Sequence, residues 1–159
     1  MEKAIEIFKN ALELEVQAEF FYEKAAEITD NDESRMVFLE LADMEGGHAR
    51  HIARRFKDTG LGKLFDADAW LDELESETGK LPIEVDSMIA NGDMHAVLDF
   101  AIKMEITARD NYQNLSEIFT DSEDKAYCAD LAKEEQEHVN ALTQLRRSLD
   151  MDPDERPDL

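Results

Sequence analysis

Six residues able to bind metal recur in one register along this chain. Glu15, Glu45 and His48 come first; Glu105, Glu135 and His138 follow, each 90 positions after its counterpart. Tyr22 and Tyr112 keep the same offset, as do Ala18 and Ala108. The segments read EVQAEFFY then EGGH, and later EITARDNY then EQEH. Glu45 and His48 stand at i and i+3, and so do Glu135 and His138, which puts each pair on one face of a helix. Carboxylate oxygen and imidazole nitrogen together suit first-row divalent metals. The charge of the four glutamates is cancelled by two divalent ions. Burying that charge without metal or protons would be prohibitive.

A lone Glu-x-x-His says little in a chain this acidic. Of the four histidines, His48 and His138 have Glu three residues before them, and His51 and His95 do not. The information lies in the joint pattern of two such motifs, each with a glutamate 30 residues upstream, at one constant offset. The competing reading is an acid-rich helical bundle whose inward glutamates are protonated or paired, since structural clusters can imitate sites.

The elements that must position these residues are helices. Ile5, Phe8, Leu12, Val16, Tyr22 and Ala26 repeat at helical spacing over about residues 2–29, with Glu15 on the same stripe. TDNDES breaks that pattern with capping residues, and a second helix is expected over 33–58, stopping near Gly60 as a C-terminal cap. A third covers about 93–119, entered through NGD. TDSED repeats the capping chemistry before a fourth over 123–149. Each would span roughly 40 Å at 1.5 Å per residue. Residues 61–90 have no counterpart in the repeat. With a short helical segment near DAWLDELE and a turn at GKLP, they can supply the long crossover that joins two antiparallel hairpins into one bundle. Trp70, Leu71 and Leu74 are the residues to pin it. The expected organisation is a helical bundle over 1–149, with the crossover at 61–90, and an acidic, frayed tail over 150–159.

Composition narrows the rest. At 159 residues the chain suits one domain with a substantial core. Only 6 Gly and 3 Pro occur, which favours helix. A formal charge of −22 argues against nucleic acid and against an anionic membrane surface. The one basic run, RHIARRFK, is short and flanked by acid. The excess acid reads as a solvated surface, or as a field that concentrates divalent cations. A single cysteine, Cys128, permits neither an intrachain disulfide nor a thiolate cluster. The first residues are charged and amphipathic and no apolar run reaches 18 residues, so a reducing cytoplasm fits.

The pattern of Glu-x-x-Ala-x-x-x-Tyr segments, each followed by Glu-x-x-His, resembles the ferritin-like diiron domain of the rubrerythrin family over nearly all of residues 1–149. The resemblance implies an all-α, ferritin-like four-helix bundle with a long crossover between helices two and three. It implies Glu15 and His48 as terminal ligands of one iron, Glu105 and His138 of the other, and Glu45 and Glu135 as bridges. Tyr22 and Tyr112 would be hydrogen-bond donors behind the ligands; otherwise they are core residues with satisfied hydroxyls. Two departures matter. Peroxide-reducing rubrerythrins usually carry a further glutamate three residues after the third-helix ligand, where this chain has Ala108. They also commonly carry a four-cysteine rubredoxin domain, which a chain with one cysteine cannot contain. The chain thus resembles the shorter members of the family, and its reductant must come from another protein.

What the resemblance implies for function is a redox protein with two iron ions that reduces hydrogen peroxide or O2 with an external electron donor. Ferroxidase activity with iron sequestration is the next reading, and a substrate oxygenase the third. Outside enzymes, a metal-binding bundle without turnover fits the same ligands. The donor set also accepts Mn(II) or Zn(II). A homo-oligomer, most simply a dimer, is expected.

Several further residues carry expectations of their own. Gly46 and Gly47 sit mid-helix and face away from the metals, suiting either a close contact such as another subunit or a surface that tolerates glycine. Glu19 and Arg109, at matching repeat positions, are expected to pair across the bundle, or Glu19 to be a spare ligand. Cys128, Met44 and Met104 read as core filler, and His51 and His95 as surface residues.

Overall fold

The computed structural model describes residues 2–77, 81–151 and 154. Four long helices form the body: α1 (Glu2–Ile28), α2 (Asp32–Phe56), α6 (Met94–Ile118) and α7 (Ser122–Ser148). Between α2 and α6 lie α3 (Gly60–Leu64), α4 (Ala67–Glu77) and α5 (Ile83–Ala90). There is no strand among the described residues, and the architecture is an all-α, ferritin-like bundle. No described helix is long and apolar enough to cross a membrane.

The helix starts follow from their caps. Asn31 Oδ1 accepts from Ser34 N at 3.0 Å, and Asp121 Oδ1 accepts from Glu123 N and Asp124 N, both at 3.0 Å. Each cap satisfies backbone donors that the first turn leaves without a partner. The turn into α6 takes three residues. Asn91 closes α5, Gly92 adopts a φ of 67° that favours glycine, and Asp93 caps α6 through Ala96 N at 3.3 Å.

The long helices match the sequence expectation to within two residues at each end. The segment after α2 differs. Gly60 opens α3 and does not cap α2, whose chain continues through Lys57 in helical conformation. Gly62, inside α3, lies so near the carbonyls of Phe56 and Lys57 that a Cβ would stand 2.2 and 2.3 Å from them. Among its described residues the crossover holds three helices where one was expected. α4 is fastened to α1: Leu71 is fully buried, and Trp70 Nε1 donates to Lys9 O at 3.4 Å. The turn expected at GKLP falls largely outside the described residues, as does most of the acidic tail.

The core is divided. One apolar cluster gathers Phe8, Leu12, Ile52, Phe56, Leu71 and Leu115. The other gathers Phe21, Phe38, Val97, Leu98, Leu142 and Leu145. Along α1 the first cluster ends at Val16 and the second begins at Ala18, and Glu15 lies beside that boundary. Two dry slabs thus enclose a carboxylate layer, and burial of apolar surface at about 25 cal/mol per Å² holds that layer shut.

Candidate metal centre

Each ligand candidate occupies a position that its helix must bury. Glu15 follows Leu12 by one turn on α1, and Glu105 follows Ala101 by one turn on α6. On α2 and α7 the i, i+3 spacing stacks each histidine over its glutamate. The four glutamates are at most 2% exposed. All six side chains come together. Glu15, Glu45, His48 and Glu135 offer ligand atoms that all lie within 4.8 Å of one another, and Glu45, Glu105, Glu135 and His138 do the same. Glu45 and Glu135 belong to both groups. The arrangement is therefore two adjoining sites that share two carboxylates.

The imidazoles face inward through Nδ1. His48 Nδ1 is 3.8 Å from Glu15 Oε2 and 3.6 Å from Glu135 Oε1. His138 Nδ1 is 2.9 Å from Glu45 Oε1, 3.4 Å from Glu105 Oε2 and 3.2 Å from Glu135 Oε2. The two rings are near parallel, with centroids 6.2 Å apart. Glu15 Oε2, His48 Nδ1 and Glu135 Oε1 are buried without a hydrogen-bond partner. Buried polar atoms in folded proteins are nearly always paired, so three converging lone-pair atoms without partners fit a cation well.

Electrostatics describe the same preference. Burial, reinforced by the charge of Glu135, pushes the Glu15 carboxyl up to about 8. Burial and the hydrogen bond with Glu105 push Glu135 up to about 8. Glu45 is raised strongly by burial and then by Glu15. For Glu105 burial also acts upward, but hydrogen bonds to Glu135, His138 and Tyr22 and the charge of His138 outweigh it and bring the carboxyl below its ordinary value. Burial acts downward on His138, and Glu105 and Glu135 overcome it, raising the imidazole to about 10. Without metal the cluster holds protons where it would hold cations, because its charges have little else to balance them.

The tyrosines cross between hairpins. Tyr22 of α1 donates to Glu105 Oε1 of α6 at 2.6 Å, and Tyr112 of α6 donates to Glu15 Oε1 of α1 at 2.5 Å. Each therefore serves the glutamate of the opposite half. Burial and the neighbouring carboxylates raise both phenols well above 10, so both remain donors. Both hairpins of this contact belong to one chain.

Outside the ligand layer the halves differ. Glu134 Oε2 lies 2.9 Å from His48 Nε2, whereas His138 Nε2 is buried with no partner. Glu134 was not singled out from the sequence, although its place immediately before Glu135 was the available signal. Glu19 and Arg109 do not pair. Each packs against its own hairpin partner, and the two-fold arrangement carries them to opposite sides. Arg109 donates to Gln136 Oε1 at 2.7 Å and to Asp110. Glu19 lies against Gly46, where a Cβ would fall 2.7 Å from its Cδ, so Gly46 is covered from within its own chain. Glu19 is in neither ligand group. Met44 is exposed and not core filler, because its repeat position turns outward. Met104 and Cys128 are buried, and His51 and His95 are exposed.

A family model for rubrerythrin matches residues 6–146. The chain belongs to the rubrerythrin family. No curated protein and no solved structure matches it. Membership implies a dimetal centre, and the two adjoining carboxylate-histidine groups are the part of this rubrerythrin-family chain able to hold one. Ala108, where a further glutamate is usual in peroxide-reducing members, is packed in the core and offers no donor.

Proposed function

We propose that this chain is a diiron redox protein that reduces hydrogen peroxide or O2 with electrons from a separate donor protein. The observation that carries the reading is the pair of adjoining four-residue groups sharing Glu45 and Glu135, in a chain of the rubrerythrin family. Two ferrous ions, when bound, supply two electrons to the oxidant, one from each. Glu15 and His48 would hold one ion, Glu105 and His138 the other, and Glu45 and Glu135 would be shared between them.

The rest is the work of the chain's own groups. Tyr22 and Tyr112 keep Glu105 Oε1 and Glu15 Oε1 occupied, so that the second oxygen of each carboxylate would be the one to bind metal. Glu134 accepts the Nε2 proton of His48 and fixes the tautomer in which Nδ1 is the free lone pair. The two apolar slabs exclude bulk water from above and below the layer. His48, with 17% of its side chain exposed, is the ligand nearest solvent, so a small oxidant arrives beside His48 and Glu134.

Stopped-flow mixing of the Fe(II)-loaded protein with peroxide, and separately with O2, tests this. Oxidation within seconds by either oxidant, with return to the ferrous form on adding reductant, is expected. An iron-loaded protein inert to both would refute the redox reading. Accumulation of many irons per chain would replace it with sequestration.

A further inference from the structure

Of the three tyrosines, Tyr127 is the one whose hydroxyl is not engaged with a ligand candidate. Tyr22 and Tyr112 direct theirs at Glu105 and Glu15. The hydroxyl of Tyr127 is buried as well, and it has no hydrogen-bond partner among the described residues. A buried hydroxyl without a partner lowers stability, and phenylalanine would fill the same space without that penalty. Packing alone therefore gives no reason for a tyrosine here.

Its place in the fold gives one. Successive contacts cross the seam between α2 and α7. His48 meets Glu134 there, with Nε2 2.9 Å from Oε2. One turn further along α2 and two turns back along α7, the ring of His51 meets the ring of Tyr127, with centroids 6.1 Å apart. Tyr127 and Glu134 are seven residues apart and so share a face of α7. On its inner side the Tyr127 ring packs edge-on against Phe56 of the first apolar cluster, at 5.9 Å. Arg55, held by Asp124 at 3.2 Å, lies over the ring with its guanidinium carbon 5.4 Å from the centroid. The ring is thus fixed, and its hydroxyl is the next polar group along the seam from His48 and Glu134. Burial chiefly, then Cys128, Glu134 and Glu15 acting against Arg55, push the phenol up to about 12, so it keeps its proton and stands as a donor.

We propose that the Tyr127 hydroxyl is the hydrogen-bond donor that receives hydrogen peroxide in the α2–α7 seam, on its way to the His48 side of the centre, and that it thereby selects peroxide over O2. The inference rests on the redox reading above and decides between the two oxidants which that reading leaves open. Hydrogen peroxide accepts and donates hydrogen bonds through both oxygens, whereas O2 is a weak acceptor and donates none. A polar group held ready for one substrate discriminates against an analogue that cannot use it. Peroxide is also neutral, and a chain of formal charge −22 repels anionic oxidants such as superoxide. Tyr22 and Tyr112 cannot take this part, because their hydroxyls already donate to carboxylates.

Stopped-flow oxidation of the Fe(II)-loaded full chain, native against Tyr127→Phe, tests the assignment. The variant should lose roughly five- to tenfold in its second-order rate with dilute peroxide, the worth of one hydrogen bond. It should keep the native rate at saturating peroxide and react with O2 as the native protein does, with bound iron unchanged. Urea unfolding of the metal-free proteins gives a second readout. The variant should unfold at the native midpoint or above it, since its fold loses only a hydroxyl without a partner. Equal peroxide rates in the two proteins, or an equal fall with peroxide and with O2, overturn the proposal and leave the redox reading standing. So does a lower urea midpoint in the variant, which would make the hydroxyl a structural donor. A native protein inert to both oxidants removes the redox reading, and this proposal with it.

Discussion

Behind His48 stands Glu134, 2.9 Å from Nε2. In register behind His138 the chain has Met44, and Nε2 of His138 has no partner. The hairpins α1–α2 and α6–α7 thus present the same three candidate ligands and the same crossing tyrosine, with different support. Ligand identity is set by spacing along a helix, and one repeat fixes it in both halves. Support is set by the residue next in sequence or across the hairpin, and that has diverged. The consequence is two inequivalent halves of the candidate centre. A carboxylate behind a ligating histidine raises its basicity and fixes its ring, so the position of Glu15 and His48 is the firmer of the two. His138 relies on the ligand carboxylates themselves.

The largest effect should come from what the halves share. Glu45→Ala and Glu135→Ala each remove a residue common to both groups, and either should reduce bound metal from two ions per chain to one or none. Elemental analysis after iron-replete expression measures this. Unchanged metal content in either variant would defeat the assignment of shared ligands. Losses of different size would show that the bridges are not equivalent.

Removing metal should make stability depend on pH in a direction the shifts fix. Glu15 and Glu135 rise from an ordinary 4.5 to about 8 in the fold. Below 4.5 each is protonated folded and unfolded, so neither penalises folding. Between 4.5 and 8 the folded state binds more protons than the unfolded state, and stability falls as pH rises. His138, raised from 6.5 to about 10, contributes stability that is full below 6.5 and lost as pH climbs through 10, which has the same sign. The metal-free protein should therefore lose several degrees of Tm between pH 4.5 and 8. Metal competes with protons for the same atoms and binds better as pH rises, so the gap in Tm between loaded and metal-free protein should widen over that range. Calorimetry across pH that gave parallel curves would contradict the protonated cluster.

Glu134→Gln separates the halves. It should weaken the ion on the His48 side about ten- to hundredfold and leave the other binding step in place. Titrating the metal-free protein with Co(II) and following its visible bands resolves the steps. Met44→Glu is the converse, giving His138 an acceptor and strengthening the weaker step. Equal movement of both steps in either variant would mean that the supporting carboxylate does not act locally.

The four long helices and the six converging side chains were legible because helical periodicity and a fixed offset are properties of one segment read alone. The crossover was not, since α3 and α5 are short and gain their helicity from docking and from tight turns such as Gly62 against Phe56 and Lys57. The tyrosines were found as donors, but spacing from Glu15 could not tell that Tyr22 would reach Glu105. That depends on how α1 lies against α6. Glu134 and the seating of Glu19 on Gly46 were missed for the same reason. A face can be read from one helix, whereas a partner needs two.

The smallest expected effect lies at that last contact, and its sign distinguishes the halves. A Cβ on Gly46 would fall 2.7 Å from Glu19 Cδ and Oε1. The obstacle is the free end of a half-buried side chain and not backbone, so Glu19 can swing into water. Its present seat is unfavourable, because burial first, then Glu23 and Glu75, hold its carboxyl above the ordinary value. Gly46→Ala therefore relieves a desolvated carboxylate and adds helix propensity of about 1 kcal/mol, and the midpoint of urea unfolding should rise. In the other half, Gln136→Ala removes the acceptor of Arg109 and should lower the midpoint, by at most about 1 kcal/mol for a contact this near solvent. A fall in Gly46→Ala would mean that Glu19 fastens α1 to α2 by more than its burial costs. The two hairpins would then be alike outside the ligand layer as well as within it.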